Sequence, residues 1–341
     1  MTNASAIETV KEKLGSDLAI LAHHYQTDEV VRHAHIRGDS LELARKIPEL
    51  SARYIVFCGV HFMAESAAIL AAPKQKVFIP DPSASCVMAD MAPAPRVEAV
   101  LNRLQAGGKK IIPLTYVNSS AAVKAICGRF DGSVCTSANA PKMLRWALDQ
   151  GDGVLFLPDM NLGQNTGRDF GLPPEAMRVL NVRNKGRLVE PVRDNGPRLF
   201  LWPGCCAVHF RFKAENVDRL RREHPEARIV VHPECDPEVV SRADGAGSTT
   251  YLIKETNNAP NGSTIIVGTE YNLVNRLAAD HAGRVRVLPI KNVVCSNMVK
   301  TTEANLLALL ENLDTTKPVT VADEVATPAA RALKTMLDVC S

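Results

Sequence analysis

The chain has 341 residues, a formal net charge of +3, and 46% apolar against 23% charged residues. That length exceeds a single compact core and points to two or three domains. The near-neutral balance offers nothing to hold a nucleic acid or an anionic membrane, and no apolar run approaches the length of a membrane span. The N-terminus, Met1 to Glu8, lacks the basic and apolar stretches of a secretion signal, so a cytoplasmic protein is expected.

From the N-terminus onward, one order of features occurs three times. Each unit opens with an apolar run that turns polar: Leu18-Ala-Ile-Leu-Ala-His-His-Tyr25, Ile111-Ile-Pro-Leu-Thr-Tyr-Val-Asn118 and Ile229-Val-Val-His-Pro-Glu-Cys235. Such runs read as buried strands, and a helix is expected after each, as in parallel sheets with crossovers. A small-hydroxyl segment then starts another helix at Gly38-Asp-Ser40, Thr136-Ser-Ala-Asn139 and Gly247-Ser-Thr249. Asp39 and Glu42 have capping-box spacing, and Pro141 suits a first helical turn. A further strand follows in Val56–Phe62, Leu155–Asn161 and Ile265–Tyr271. The last strand of each unit runs out near a cysteine: Val77 to Cys86, Arg198 to Cys206 and Val285 to Cys295.

This order predicts an α/β protein of three pseudo-threefold-related αβα units, each with a small parallel sheet, covering 1–105, 106–207 and 208–300. The middle unit is lengthened by Gly167–Pro197, which reads as a surface excursion. Two helical patterns, around Asn305–Leu313 and Thr327–Leu337, predict C-terminal helices in 301–341 that pack back on the first unit.

Ligands of open α/β sheets bind beyond the carboxyl ends of the strands. Three units with those ends turned inward enclose one cavity holding Cys86, Cys206 and Cys295. It also receives His23, Tyr25, Tyr116, Asn118, His232 and Glu234. Ser40, Ser137, Ser248 and Thr249 sit at helix starts, where a hydroxyl serves either as a cap or as part of an anion site. Nine cysteines and no Cys-x-x-Cys mean that any metal ligands must come from distant points of the chain. Three thiols around one centre suit a [4Fe–4S] cluster with one open iron, or a zinc ion with a bound water. At the vicinal pair, Cys205 and Cys206 are alternatives. Glu234, His232, Tyr116 and His23 are the candidate catalytic groups for moving protons.

The joint motifs resemble the quinolinate synthase family. They are Ala22-His-His-Tyr-Gln26, Pro80-Asp81 leading to Cys86-Val-Met-Ala-Asp90, Leu157-Pro-Asp-Met-Asn-Leu-Gly163, Trp202-Pro-Gly-Cys-Cys-Ala-Val-His209, His232-Pro-Glu-Cys235 and Cys295-Ser-Asn-Met298. The resemblance implies one [4Fe–4S] cluster per chain held by Cys86, Cys206 and Cys295, with Cys206 rather than Cys205 as the ligand. It implies condensation of iminoaspartate with dihydroxyacetone phosphate to quinolinate, with loss of phosphate and water, on the route to NAD. It further implies a functional link to the enzyme that supplies iminoaspartate. His23, Tyr25, Ser40, Tyr116, Asn118, Ser137, His232, Glu234, Ser248 and Thr249 match the family's substrate cavity, with Glu234 and Tyr116 as its acid–base pair. His24 and Ser85 depart from the family pattern. An iron–sulfur sensor and a zinc-dependent aldolase or hydratase are the rival readings; turnover and metal analysis separate them.

Overall fold

A computed structural model of the chain describes residues 2–182 and 196–341. The apolar runs form strands β1 Leu18–His23, β2 Ile36–Gly38, β3 Tyr54–Cys58 and β4 Lys76–Phe78 of a first sheet in the order β2-β1-β3-β4. A second sheet holds β5 Ile111–Tyr116, β6 Ser133–Cys135, β7 Gly153–Leu157, β8 Met177–Val179 and β9 Leu199–Leu201, in the order β6-β5-β7-β9-β8. A third holds β10 Arg228–Val231, β11 Gly245–Ala246, β12 Thr264–Gly268 and β13 Arg286–Pro289, in the order β11-β10-β12-β13. All pairings are parallel, and a helix stands between consecutive strands of each sheet other than β8 and β9. The expected α/β architecture of three layered units is therefore present, and the same strand order underlies each sheet.

Burial on both faces explains why the strands read as unbroken apolar runs. Every residue of β1, β3, β5, β7 and β9 is buried. Short helices close each crossover. Asp39 Oδ1 accepts the Glu42 N–H at 3.0 Å while Glu42 Oε2 accepts that of Asp39 at 2.9 Å, so the predicted capping box forms at helix Ser40–Lys46. Pro141 lies in the first turn of helix Ala140–Gln150, as expected.

Two expectations need amendment. The excursion at Gly167–Pro197 begins inside helix Met160–Asp169 and then contributes β8, an exposed edge strand paired with β9; its residues 183–195 lie outside the described residues. The C-terminal tail divides between two units. Helix Glu303–Leu310 does pack on the first unit, burying Leu306, Leu309 and Leu310 with Ile7, Ile20 and Phe78. Helix Asp323–Val339 instead covers the middle unit, where Ala332, Leu333 and Met336 join the core of β5 and β6. The reason is close approach. A Cβ at Gly128 of helix Ala121–Arg129 would stand 1.8 Å from the Pro328 carbonyl oxygen, so only glycine there lets the two helices meet. No helix among the described residues is long and apolar enough to cross a membrane.

Candidate functional site

The carboxyl ends of the three sheets surround one cavity of about 270 Å³. Each first strand delivers two side chains at i and i+2, which the strand period places on the same face. His23 ends β1 and Tyr25 follows it, Tyr116 ends β5 and Asn118 follows it, and His232 and Glu234 follow β10; all six line the cavity. Ser40, Ser137 and Thr249 line it as well. Ser248 is not among the lining residues: its hydroxyl accepts the Tyr251 N–H at 3.3 Å and caps helix Thr249–Asn258. That is the cap role of the two open at the sequence level.

The fourth strand of each unit leads to Cys86, Cys206 and Cys295, and all three thiols border the same cavity, whereas the half-buried Cys205 does not. Cys86 lies within electrostatic reach of both other sulfurs. Backbone N–H groups of the turn that follows each sulfur favour its thiolate: those of Met88 and Ala89 for Cys86, His209 for Cys206, and Asn297 and Met298 for Cys295. Burial nevertheless pushes the Cys86 thiol up to about 12 and raises those of Cys206 and Cys295. Thiolates in such a place need a cation beside them. Three sulfurs brought from three strand ends to one cavity fit the donor set of an iron–sulfur cluster.

Electrostatics sort the other groups into proton donors and acceptors. Burial, aided by the neighbouring imidazoles, drives His23 down to about 3; burial does the same to His232. Both are neutral at physiological pH. Nδ1 of His23 accepts the Tyr25 N–H at 3.1 Å and Nδ1 of His232 the Glu234 N–H at 3.4 Å, which places the proton of each ring on Nε2. Burial opposes the ionisation of Glu234, but His232, His209 and the Tyr116 hydroxyl outweigh it and hold the carboxyl below its usual range. Burial and the Glu234 charge raise the Tyr116 and Tyr25 hydroxyls well above 10. Burial and the same charge push the neighbouring Asp159 carboxyl well up. The site therefore pairs a carboxylate with phenols that keep their protons.

Several residues here were given no role among the candidate site residues of the sequence. His209 is fully buried and stacks on His232 with ring centroids 4.6 Å apart. Its Nδ1 lies 2.6 Å from Glu234 Oε2. Its Nε2 meets Thr269 Oγ1 at 3.2 Å, and that oxygen is 2.7 Å from the Tyr25 hydroxyl. Asp159 Oδ2 accepts the Cys206 N–H at 3.2 Å. Arg211 brings the one Lys or Arg side chain among the described residues lining the cavity. His209 stood three residues after Cys206, and Asp159 and Thr269 in the polar ends of the strands at Leu155 and Ile265, so a signal existed for these; Arg211 carried none.

The chain was compared with known proteins. A family model described as "Quinolinate synthetase A protein" matches residues 5–338. The quinolinate synthase of Halalkalibacterium halodurans is 45% identical over 336 residues, covering 96% of this chain and 91% of that protein. Those of Acidobacterium capsulatum and Lysinibacillus sphaericus are 42% and 44% identical, each spanning 98% of this chain and 92% of theirs. With near full-length coverage in both directions, the chain is an enzyme of the quinolinate synthetase A family.

Proposed function

We propose that this enzyme condenses iminoaspartate with dihydroxyacetone phosphate to quinolinate, releasing phosphate and water, in the cytoplasmic synthesis of NAD. The observation that carries the reading is the meeting of Cys86, Cys206 and Cys295 with Glu234 and Tyr116 around one cavity. Cys86, Cys206 and Cys295 would hold a [4Fe–4S] cluster, which when bound supplies a Lewis acid that polarises substrate oxygen and helps hydroxide leave.

The chain's own groups account for binding and proton transfer. Ser40, Ser137 and Thr249 stand at or near helix starts, where free N–H groups and the helix dipole favour the carboxylates and the phosphate of the two substrates. Arg211, exposed at the cavity, adds a positive charge for the same anions. Glu234 is the proton acceptor, because its carboxylate stays ionised in a buried place. Tyr116 is the donor beside it, since its hydroxyl holds its proton well above neutral pH. His23 and His232, neutral with Nε2–H, donate hydrogen bonds to substrate oxygens without adding charge. Tyr25 and Asn118 complete the polar lining, the former anchored through Thr269.

Purified protein, kept free of oxygen, tests this directly. Brown protein that forms quinolinate from the two substrates, and that bleaches in air as turnover fails, is expected. Colourless protein with full activity overturns the cluster assignment, and brown protein with no turnover overturns the reaction.

A further inference from the structure

We propose that protein lacking its cluster offers a second metal site, a zinc-class divalent cation site formed by Cys206, His209 and Glu234, and that this site and the cluster exclude each other. The ligand atoms of these three residues lie within 4.8 Å of one another. In a tetrahedral site with bonds of about 2.0 Å to nitrogen and oxygen and about 2.3 Å to sulfur, ligand atoms stand roughly 3.3 to 3.6 Å apart. Small side-chain shifts therefore bring the three into register.

Two further observations point to a cation there. His209 Nδ1 stands 2.6 Å from Glu234 Oε2 with no hydrogen bond between them, and Glu234 Oε1 has no hydrogen-bond partner, although their residues are 0% and 3% exposed. Buried polar atoms left unpaired are uncommon and costly, and a bound cation satisfies both at once. The other face of the imidazole is already arranged for the role. Nε2 faces Thr269 Oγ1, so a ring that donates there presents Nδ1 as a bare lone pair. One thiolate, one imidazole and one carboxylate favour zinc or cobalt over magnesium or calcium. Three protein ligands leave the fourth position facing the cavity, open to water or an anion.

Exclusion follows from the shared sulfur. Cys206 is the proposed cluster ligand from the middle unit, whereas Cys86 and Cys295 take no part in the three-residue group. A cation seated on Cys206, His209 and Glu234 removes one of the three thiols that the cluster needs. Zinc is then a competitor of cluster assembly, and its release is a condition for maturation. The inference concerns the cluster-free chain and stands whether or not the proposed reaction is correct.

The test uses Co²⁺ as a spectroscopic stand-in for zinc, added without oxygen to full-length protein stripped of its cluster. A single equivalent giving a thiolate-to-cobalt charge-transfer band and the intense visible bands of tetrahedral cobalt is expected. The double variant Cys86→Ser/Cys295→Ser, unable to hold a cluster, should keep that spectrum. His209→Ala and Glu234→Gln should each weaken cobalt binding ~10-fold or more, since loss of even a supporting residue has that effect. Cobalt binding that vanishes in the double cysteine variant, or that is unchanged in the other two, overturns the proposal. Should those variants fail to fold, X-ray absorption of zinc-loaded wild-type protein decides. One sulfur with nitrogen and oxygen neighbours supports the site, and three sulfurs rule it out. Finally, one equivalent of zinc should block reconstitution with iron and sulfide until a chelator is added; unhindered reconstitution with zinc still bound refutes the exclusion.

Discussion

The two ends of the sheets are built differently. At the amino ends, polar groups find partners within the chain. The Tyr54 hydroxyl donates to Asp314 Oδ1 at 2.6 Å, the Lys110 N–H to Asp152 Oδ2 at 2.8 Å, and the Ile229 N–H to Asp244 Oδ2 at 2.7 Å. Asp244 is further held by both terminal nitrogens of the Arg221 guanidinium. At the carboxyl ends some polar groups pair in the same way and others do not. Of seven buried polar atoms without a hydrogen-bond partner among the described residues, those of Asn118, Thr136 and Glu234 belong to residues lining the cavity, and those of Asn139 and His209 stand at helix starts beyond the carboxyl ends of β6 and β9. The amino ends are satisfied by folding, whereas in the second and third sheets part of the carboxyl end is left to be satisfied by a ligand. Stability and function are thus separated along the strand direction.

The hardest test of that contrast is at the vicinal thiols. Cys206→Ser should abolish the cluster, while Cys205→Ser, altering a sulfur outside the cavity, should leave it; iron and sulfide analysis of anaerobic protein reads the difference. The reverse result would move the ligand by one residue. Glu234→Gln comes next. It should retain the cluster and lower kcat by about 10²–10⁴-fold, because an amide cannot accept and return a proton. Loss of the cluster in that variant would make Glu234 a structural residue.

Acid should open the two ends in different ranges. His23 and His232 are held neutral by burial, with folded values of about 3 against an ordinary 6.5. Between those values the unfolded chain binds more protons, so their contribution is complete above about pH 6.5 and is lost as pH falls toward about 3. The slope is about 1.4 kcal/mol per pH unit for each ring. At the amino ends, burial opposes the ionisation of Asp244, but Arg221 and the Ile229 N–H prevail and hold it below its usual 3.8. That contribution is present above about pH 3.8 and fades only below it. Denaturant midpoints falling from about pH 6.5 downward fit this order; midpoints flat to about pH 4 do not.

Smaller effects test positions outside the cavity. Gly128→Ala should lower stability by about 1–3 kcal/mol by pushing helix Asp323–Val339 off the middle unit, with cluster content unchanged. A thermal scan alongside iron analysis measures both. Ser248→Ala removes a helix cap and should lower stability by about 0.5–2 kcal/mol without raising KM. A raised KM would return Ser248 to the substrate side.

Much of this was legible in the sequence. Buried strands show as apolar runs because both faces of a parallel sheet are covered, and their polar endings mark the carboxyl edge. That periodicity is local, so it identified the first, third and fourth strands of each unit, the capping box at Asp39 and Glu42, and the helix start at Pro141. The edge strands β2, β6 and β11 are two or three residues long and too short to show any period. β8 was hidden within a stretch rich in Arg, Asn, Gly and Pro.

Residue order by itself determined the threefold repeat, the parallel sheets and the set of chemically capable side chains, since these depend on patterns within a few turns of chain. Only the tertiary structure decided which of those side chains share a cavity, which are already occupied as caps, and where the last helix docks. It also brought out His209, whose role depends on Glu234 and Thr269, 25 and 60 residues away in the chain. Burial, pairing and charge coupling arise between segments far apart in sequence, so no local pattern can encode them.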